Sequence, residues 1–246
     1  MRWAIFSDVH ANLEAMEAFL EDVQGRGVDR YVFLGDAVGY GADPEACCRL
    51  LAELPHLVAV MGNHDAVVAG KDSGEDFRRD ALEVLRWTRD RLSETARTWL
   101  SRWPLVAEAE GMTFAHATSF RPESWEYVYS LKQAQACFEA SRGRVTFLGH
   151  THWPLFLVQD PSRRVHPCMP GPDGVVRDVP EARMLVNVGS LGQPRDRDPR
   201  GSYVLYDAEA GVFQLVRLPY DTEKASRKIR DAGLPGFFAD RLIQGV

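Results

Sequence analysis

Trp3-Ala4-Ile5-Phe6-Ser7-Asp8-Val9-His10 decides the fold, because four apolar residues run straight into a polar tip. A run that short, bounded by polar residues, reads as a buried strand. Leu13, Met16, Phe19, Leu20 and Val23 then recur at helical spacing, and Gly25 and Gly27 end the pattern. The same grammar repeats twice. Tyr31 to Leu34 is an apolar strand closed by Gly35-Asp36, and Val58 to Met61 runs into Gly62-Asn63-His64-Asp65. Between them a helix begins at Asp43-Pro44, with Asp43 as cap and Pro44 at the first helical position. Three βα units in succession indicate a layered α/β fold with parallel strands.

Further along, residues 75–103 carry a helical pattern with Phe77, Ala81, Leu85 and Thr88 on its apolar face and mixed charges opposite. After Pro104 the texture turns to strands: Leu105 to Glu110, Met112 to His116, Val145 to Leu148, Leu155 to Val158, Met184 to Val188, Tyr203 to Tyr206 and Val212 to Val216. Ser130 and Gln133 form a capping box that opens one more helix. Pro167 to Pro180 is expected to be an exposed loop or hairpin tip. A helix over 221–232 is expected to lead, after the break at Gly233-Leu234-Pro235, into a short tail. No repeat or linker divides the chain, so 1–246 reads as one domain with a C-terminal helical tail from about 221. Parallel units first and a strand-rich half second imply two facing sheets with helices outside.

The chain has 246 residues, 45% of them hydrophobic and 26% charged, and a formal net charge of −6. That length supports a sizeable core, and the composition argues against disorder. The acidic balance argues against an extended nucleic-acid track, which needs net phosphate neutralisation. It leaves room for a small phosphorylated substrate. Cys47, Cys48, Cys137 and Cys168 form no C-x-x-C pair, and no apolar run is long enough to span a membrane. Asp8 and His10 interrupt the stretch a signal peptide would need. A cytoplasmic protein with buried free thiols is the expectation.

Four strands end in polar clusters: Asp8-x-His10, Gly35-Asp36, Gly62-Asn63-His64-Asp65 and Gly149-His150-Thr151-His152. Each alone is ordinary turn or capping chemistry. Together they are not, because ligand sites collect where strand-end loops converge, and five of the seven histidines (10, 64, 116, 150, 152) lie at such ends. In an extended D-x-H segment both side chains point one way, so Asp8 and His10 can reach one ion; the same parity pairs His150 with His152. Imidazole with carboxylate suits divalent Mn, Fe, Zn, Co or Ni.

In order, these motifs with His116 resemble the calcineurin-like metallophosphoesterase superfamily over residues 5 to about 195. Gly35-Asp36-Ala37-Val38-Gly39-Tyr40-Gly41, Trp125-Glu126-Tyr127 and Asn187-Val188-Gly189-Ser190-Leu191-Gly192-Gln193-Pro194-Arg195 resemble its prokaryotic predicted-phosphoesterase branch. The resemblance implies an α-β-β-α sandwich of two facing mixed sheets flanked by helices. It implies that Asp8, His10, Asp36 and His152 hold one metal, and that Asp36 bridges to a second, also held by Asn63, His116 and His150. Manganese is the expected ion, with Fe, Zn, Ni, Co and Mg as alternatives. His64 would face the substrate phosphate, oriented by Asp65, and Asn63 would offer its amide NH₂ to the same phosphate. The implied reaction is phosphoester hydrolysis by in-line attack of a metal-bound hydroxide, without a covalent enzyme intermediate.

The departures narrow the substrate. The Gly-Asp-x-x-Asp-Arg-Gly stretch of the superfamily's protein phosphatases is Gly35-Asp36-Ala37-Val38-Gly39-Tyr40-Gly41 here, so its phosphate-gripping arginine is missing. Small or nucleotide-like phosphodiesters are therefore expected. Phosphomonoesters, including phosphoproteins and dinucleoside polyphosphates, are the alternative, and a non-catalytic scaffold or a nuclease are the rivals outside that choice. Two readings stand for Arg195: a replacement cation for substrate, or one charge of the solvated run Arg195-Asp196-Arg197-Asp198. Ala117, where many relatives carry Gly, is expected to narrow the pocket. Trp125, Tyr127 and Tyr129 are expected to pack on the core, with walling the pocket as the alternative. Oligomeric state is not readable.

Overall fold

Trp3 and Ile5 face one layer and Ala4 and Phe6 the other, and all four are fully buried in the computed structural model, which describes all 246 residues. A strand buried on both faces needs a layer on each side, and that requirement builds the fold. In chain order the elements are β1 (Arg2–Phe6), α1 (Leu13–Gln24), β2 (Arg30–Phe33), α2 (Pro44–Ala52), β3 (Leu57–Ala59), α3 (Asn63–Val68), α4 (Arg79–Arg91), α5 (Glu94–Leu100), β4 (Val106–Ala109) and β5 (Met112–Ala115). After a 3₁₀ turn at Pro122–Ser124 come α6 (Leu131–Ala140), β6 (Val145–Leu148), β7 (Pro154–Gln159), β8 (Val165–Pro167) and β9 (Val175–Arg177). The chain ends with β10 (Arg183–Val188), β11 (Gly201–Asp207), β12 (Val212–Leu218), α7 (Thr222–Asp231) and α8 (Gly236–Gln244).

One sheet runs β3-β2-β1-β11-β12-β9 and the other β4-β5-β6-β10-β7-β8. Each is mixed: β1, β2 and β3 are parallel, as are β5, β6 and β10, with antiparallel strands beside them. Trp3, Ile5 and Val32 meet Phe114, Phe147 and Val186 between the sheets. Phe6 and Phe33 pack outward on Met16 and Phe19 of α1 and Leu100 of α5. Leu148 and Leu185 pack outward on Phe138 of α6. The result is the expected α-β-β-α sandwich of two facing mixed sheets.

Several local expectations change. Residues 75–103 form two helices, because Ser93 accepts a hydrogen bond from the Ala96 N–H at 3.1 Å and starts α5 afresh. Pro167 to Pro180 holds an exposed loop over residues 168–174 but is no hairpin tip: β8 pairs with β7 in one sheet and β9 with β12 in the other, so the segment crosses between sheets. Pro44 does open α2, but the Asp43 carboxylate makes no cap bond; it accepts from Lys228 of α7 at 2.8 Å. The tail holds a helix, α8, whose Phe238 and Leu242 pack with Val84 of α4 and Ile229 of α7. All four cysteines are free, but Cys168 is only half-buried. No helix is long and apolar enough to cross a membrane.

Candidate metal centre and its cleft

The tips of β1, β2, β5 and β6 and the start of α3 converge. His152 Nε2 lies 3.1 Å from Asp8 Oδ1, His10 Nε2 lies 3.6 Å from the same oxygen, and the two Nε2 atoms are 3.2 Å apart. Beside this group His116 Nε2 lies 3.3 Å from Asp36 Oδ2, 3.0 Å from His150 Nδ1 and 3.2 Å from Asn63 Oδ1. Asp36 Oδ2 joins the groups, since it is also 3.7 Å from His10 Nε2. All these side chains are buried except Asn63, which is half-buried.

Such a cluster is unfavourable without a cation. Nδ1 of His10 donates to the Val38 carbonyl at 3.1 Å, Nδ1 of His116 to that of Leu34 at 2.8 Å, and Nδ1 of His152 to that of Gln193. In a neutral ring the other nitrogen is then a bare acceptor. His116, which keeps its proton when no cation is present, points Nε2 at Asp36 Oδ2, while Nε2 of His152 and of His10 face Asp8 Oδ1 and each other. Asp8 Oδ1 and His150 Nε2 are buried with no hydrogen-bond partner at all. Acceptors converging in a dry space are the donor set a divalent cation satisfies, with the backbone carbonyls fixing each ring.

The electrostatics agree. Burial opposes charge on His116, yet the Asp36 carboxylate outweighs it and raises the imidazole to about 9. Burial lowers His150 to about 3, helped by His116, and His152 to about 4, helped by Arg195. Against the cost of burial, His152 and His10 hold the Asp8 carboxyl well below the usual carboxylate range. Asp36 is lowered too, His116 and His64 overcoming burial.

The convergence is not produced by strand alternation. Asp8, His10, Asp36, His150 and His152 all have left-handed backbone, with φ of 56°, 49°, 60°, 66° and 60°. Non-glycine residues rarely adopt that conformation, and it concentrates at functional sites. Paired reach of Asp8 with His10, and of His150 with His152, therefore comes from strained loops just past the strand ends. Two glycines make room. A Cβ on Gly62 would lie 2.1 Å from Asp36 Oδ1, and one on Gly39, at φ +90°, would lie 2.2 Å from His64 Nδ1.

His64 is buried, its Nε2 3.9 Å from Asp36 Oδ2 and its ring packed edge-on against Tyr40 and Phe77. Burial holds its pKa well below the ordinary imidazole value, so it is neutral. Asp65 does not orient it, because His64 Nδ1 has no partner. The Asp65 carboxylate instead accepts the backbone N–H groups of Asp36, Ala37 and Gly62 at 2.7, 2.9 and 3.1 Å. It locks the β2 tip to the start of α3. Burial, with the Asp36 charge, pushes Asp65 up, while those N–H donors oppose the shift.

The stretch from Asn187 to Gln193 has a role that motif matching did not reveal. Asn187 Nδ2 donates to the Gly149 carbonyl at 2.6 Å and Ser190 Oγ to that of Asp8 at 2.9 Å. Together with Gln193 behind His152, it braces the loops that carry Asp8, His150 and His152.

Beside these residues opens a cleft of about 400 Å³, with buried Asp36, His64, His150 and His152 and half-buried Asn63 as its floor and the less buried Tyr127, Trp125, Arg195 and Arg241 as its rim. Arg195 belongs to the cleft and not to the solvated run: Asp196 is taken by Arg217 and Asp198 by Arg200, leaving Arg195 without a carboxylate. Tyr127 stacks on His150 with centroids 4.1 Å apart, and Tyr129 stacks on Tyr127 at 5.1 Å. Both tyrosines are exposed and neither packs on the core; Tyr127 walls the cleft, and Tyr129 backs it from outside the lining. Trp125 does both, lining the cleft and donating from Nε1 to Asp72 at 3.1 Å. Ala117 is buried away from the cleft lining, so its methyl narrows nothing.

Residues 1–211 match the calcineurin-like phosphoesterase superfamily domain, and the chain belongs to that family. It is a metal-dependent phosphoesterase, a hydrolase acting on ester bonds. The chain is 37% identical to a metallophosphoesterase of Sphaerobacter thermophilus whose crystal structure superposes with a TM-score of 0.88 over all of both chains. It is 34% identical to an uncharacterized protein of Methanocaldococcus jannaschii, covering 98% of this chain and 97% of that one. A hypothetical protein of Pyrococcus horikoshii shares the fold at 17% identity, with a TM-score of 0.78 over 100% and 98% of the two chains.

Proposed function

We propose that the protein hydrolyses phosphodiesters of small, nucleotide-like molecules at a dinuclear metal centre in a cytoplasmic setting, with manganese as the working ion. Asp8, His10, Asp36 and His152 hold one ion, and Asn63, His116 and His150 the other, with Asp36 shared. The observation that carries this reading is the pair of acceptor clusters joined through Asp36 Oδ2, 3.7 Å from His10 and 3.3 Å from His116. Two bound cations supply charge for the phosphoryl oxygens and acidify a coordinated water.

The chain's own groups do the rest. His64, neutral and held over the floor, offers its one N–H to a phosphoryl oxygen or to the departing alkoxide. Asn63 presents its carbonyl oxygen to the metal cluster, which leaves its NH₂ for substrate. Arg195 supplies the cation absent at Tyr40, its guanidinium 5.7 Å from the centroid of that ring. Tyr127 and Tyr129 offer a stacked apolar wall to a base or aryl group. A monoesterase is the second reading, favoured by Arg195, because a dianionic phosphate gains more from a guanidinium than a diester does.

The test is hydrolysis of bis(4-nitrophenyl) phosphate and 4-nitrophenyl phosphate by chelator-treated protein, before and after Mn²⁺ is returned. Activity should vanish, return with Mn²⁺, and favour the diester. Activity indifferent to chelation would sink the mechanism, and a monoester preference would select the second reading.

A further inference from the structure

The match to the family ends at residue 211, yet α8, at Gly236–Gln244, sends Arg241 into the same cleft as the metal ligands. Neither Arg241 nor Arg195 is paired with any carboxylate, although ion pairs occupy most cations around them, Arg78 with Asp80 at 3.5 Å and Arg217 with Asp196 among them. Arg195 Nε is buried without a partner. Gathering unpaired guanidiniums on one wall costs free energy unless an anion joins them.

The two arginines are held by different parts of the chain. Arg195 follows the β10 brace: its backbone N–H donates to the His152 carbonyl at 3.4 Å, and its charge helps lower both His64 and His152. Arg241 comes instead from α8, its guanidinium 5.0 Å from the centroid of the Phe237 ring, and burial and the Arg195 charge lower it. Both ends of α8 are fixed. Phe238 packs on Tyr40 at 4.7 Å, and Tyr40 in turn lies against His10, His64 and the Arg195 guanidinium. At the other end the Arg197 N–H donates to the Gly245 carbonyl at 2.7 Å. The backbone that carries Arg241 is thus held at both ends, while its guanidinium stays free to meet an anion. Arg78, paired with Asp80, cancels, and Asp76 adds one negative charge to the lining, against the two positive charges of Arg195 and Arg241.

We infer that Arg241 forms an outer anion subsite, so that the substrate carries a second phosphate or carboxylate beyond the ester bond that is cut. This rests on the phosphodiesterase reading. The test compares thymidine 5′-(4-nitrophenyl phosphate) with the same compound bearing a 3′-phosphate, which share the scissile bond, base and leaving group. With Mn²⁺-loaded full-length protein, the added phosphate should lower KM roughly tenfold with kcat nearly constant. In Arg241→Gln that advantage should vanish, and in Arg241→Lys part of it should remain, with melting temperatures reporting that both variants fold. Equal KM values in the unaltered protein would overturn the subsite while leaving phosphodiesterase activity intact. An Arg241→Gln loss that is the same for both compounds would also overturn it, placing Arg241 on the scissile phosphate or in the fold. Hydrolysis of neither compound would defeat the phosphodiesterase reading and the subsite with it.

Discussion

The floor of the cleft and its rim are built by different means. On the floor, seven residues from both sheets are held by backbone carbonyls, left-handed turns and two glycines with no room for a methyl. On the rim, Tyr127, Tyr129, Arg195 and Arg241 come from loops and from a terminal helix, and the tyrosines are exposed. Rigid, strained geometry suits chemistry common to a family, whereas a rim of loosely constrained side chains suits the choice of substrate.

If that division is right, damage to the floor should be far costlier than damage to the rim. Asp36→Asn removes charge from the oxygen shared by both clusters, so metal analysis should show both ions weakened together and activity should fall by at least about 10²–10³-fold. Loss of one ion only would separate the clusters. His64→Ala should keep both ions and lose turnover by roughly 10²–10⁴-fold; metal loss in that variant would move His64 into the ligand set.

On the rim, Tyr129→Ala removes only the outermost ring of the stack. It should raise KM for aryl diesters by roughly two- to tenfold with kcat unchanged. A kcat effect equal to that of His64→Ala would erase the distinction between floor and rim.

The smallest effect is on stability. In metal-free protein His64, His150 and His152 stay neutral well below 6.5, whereas the unfolded chain takes up protons there. The unfolded state binds more protons, so stability falls as pH drops from about 6.5 toward 4. Asp65, raised by burial, opposes this in part, and His116, protonated in both states over that window, adds nothing. The melting temperature of chelated protein should therefore decline by several degrees over that range, and a rise would contradict the burial argument.

The floor was legible in the sequence for the reason that makes it rigid. Asp8, Asp36, His116, His150 and His152 sit at or just past apolar runs whose pattern declares strands, so their meeting follows from the fold. The left-handed turns that aim them were not legible, because a D-x-H triplet reads the same extended or strained. What Asp65 bonds was not legible on the same ground: sequence adjacency to His64 says nothing of three backbone N–H groups arriving from two loops. The rim was barely legible. Arg241 and Phe238 matter only because α8 docks on α4 and Tyr40, a tertiary event with no local motif. A Ser at 93 after a long charged helix was the one cue to the break between α4 and α5, and it was outweighed by periodicity.

The central claim is a dinuclear centre assembled around Asp36. Chelator-stripped protein, reloaded with Mn²⁺ and freed of excess ion, should carry two manganese ions per chain by elemental analysis. One ion per chain, or none, would contradict it.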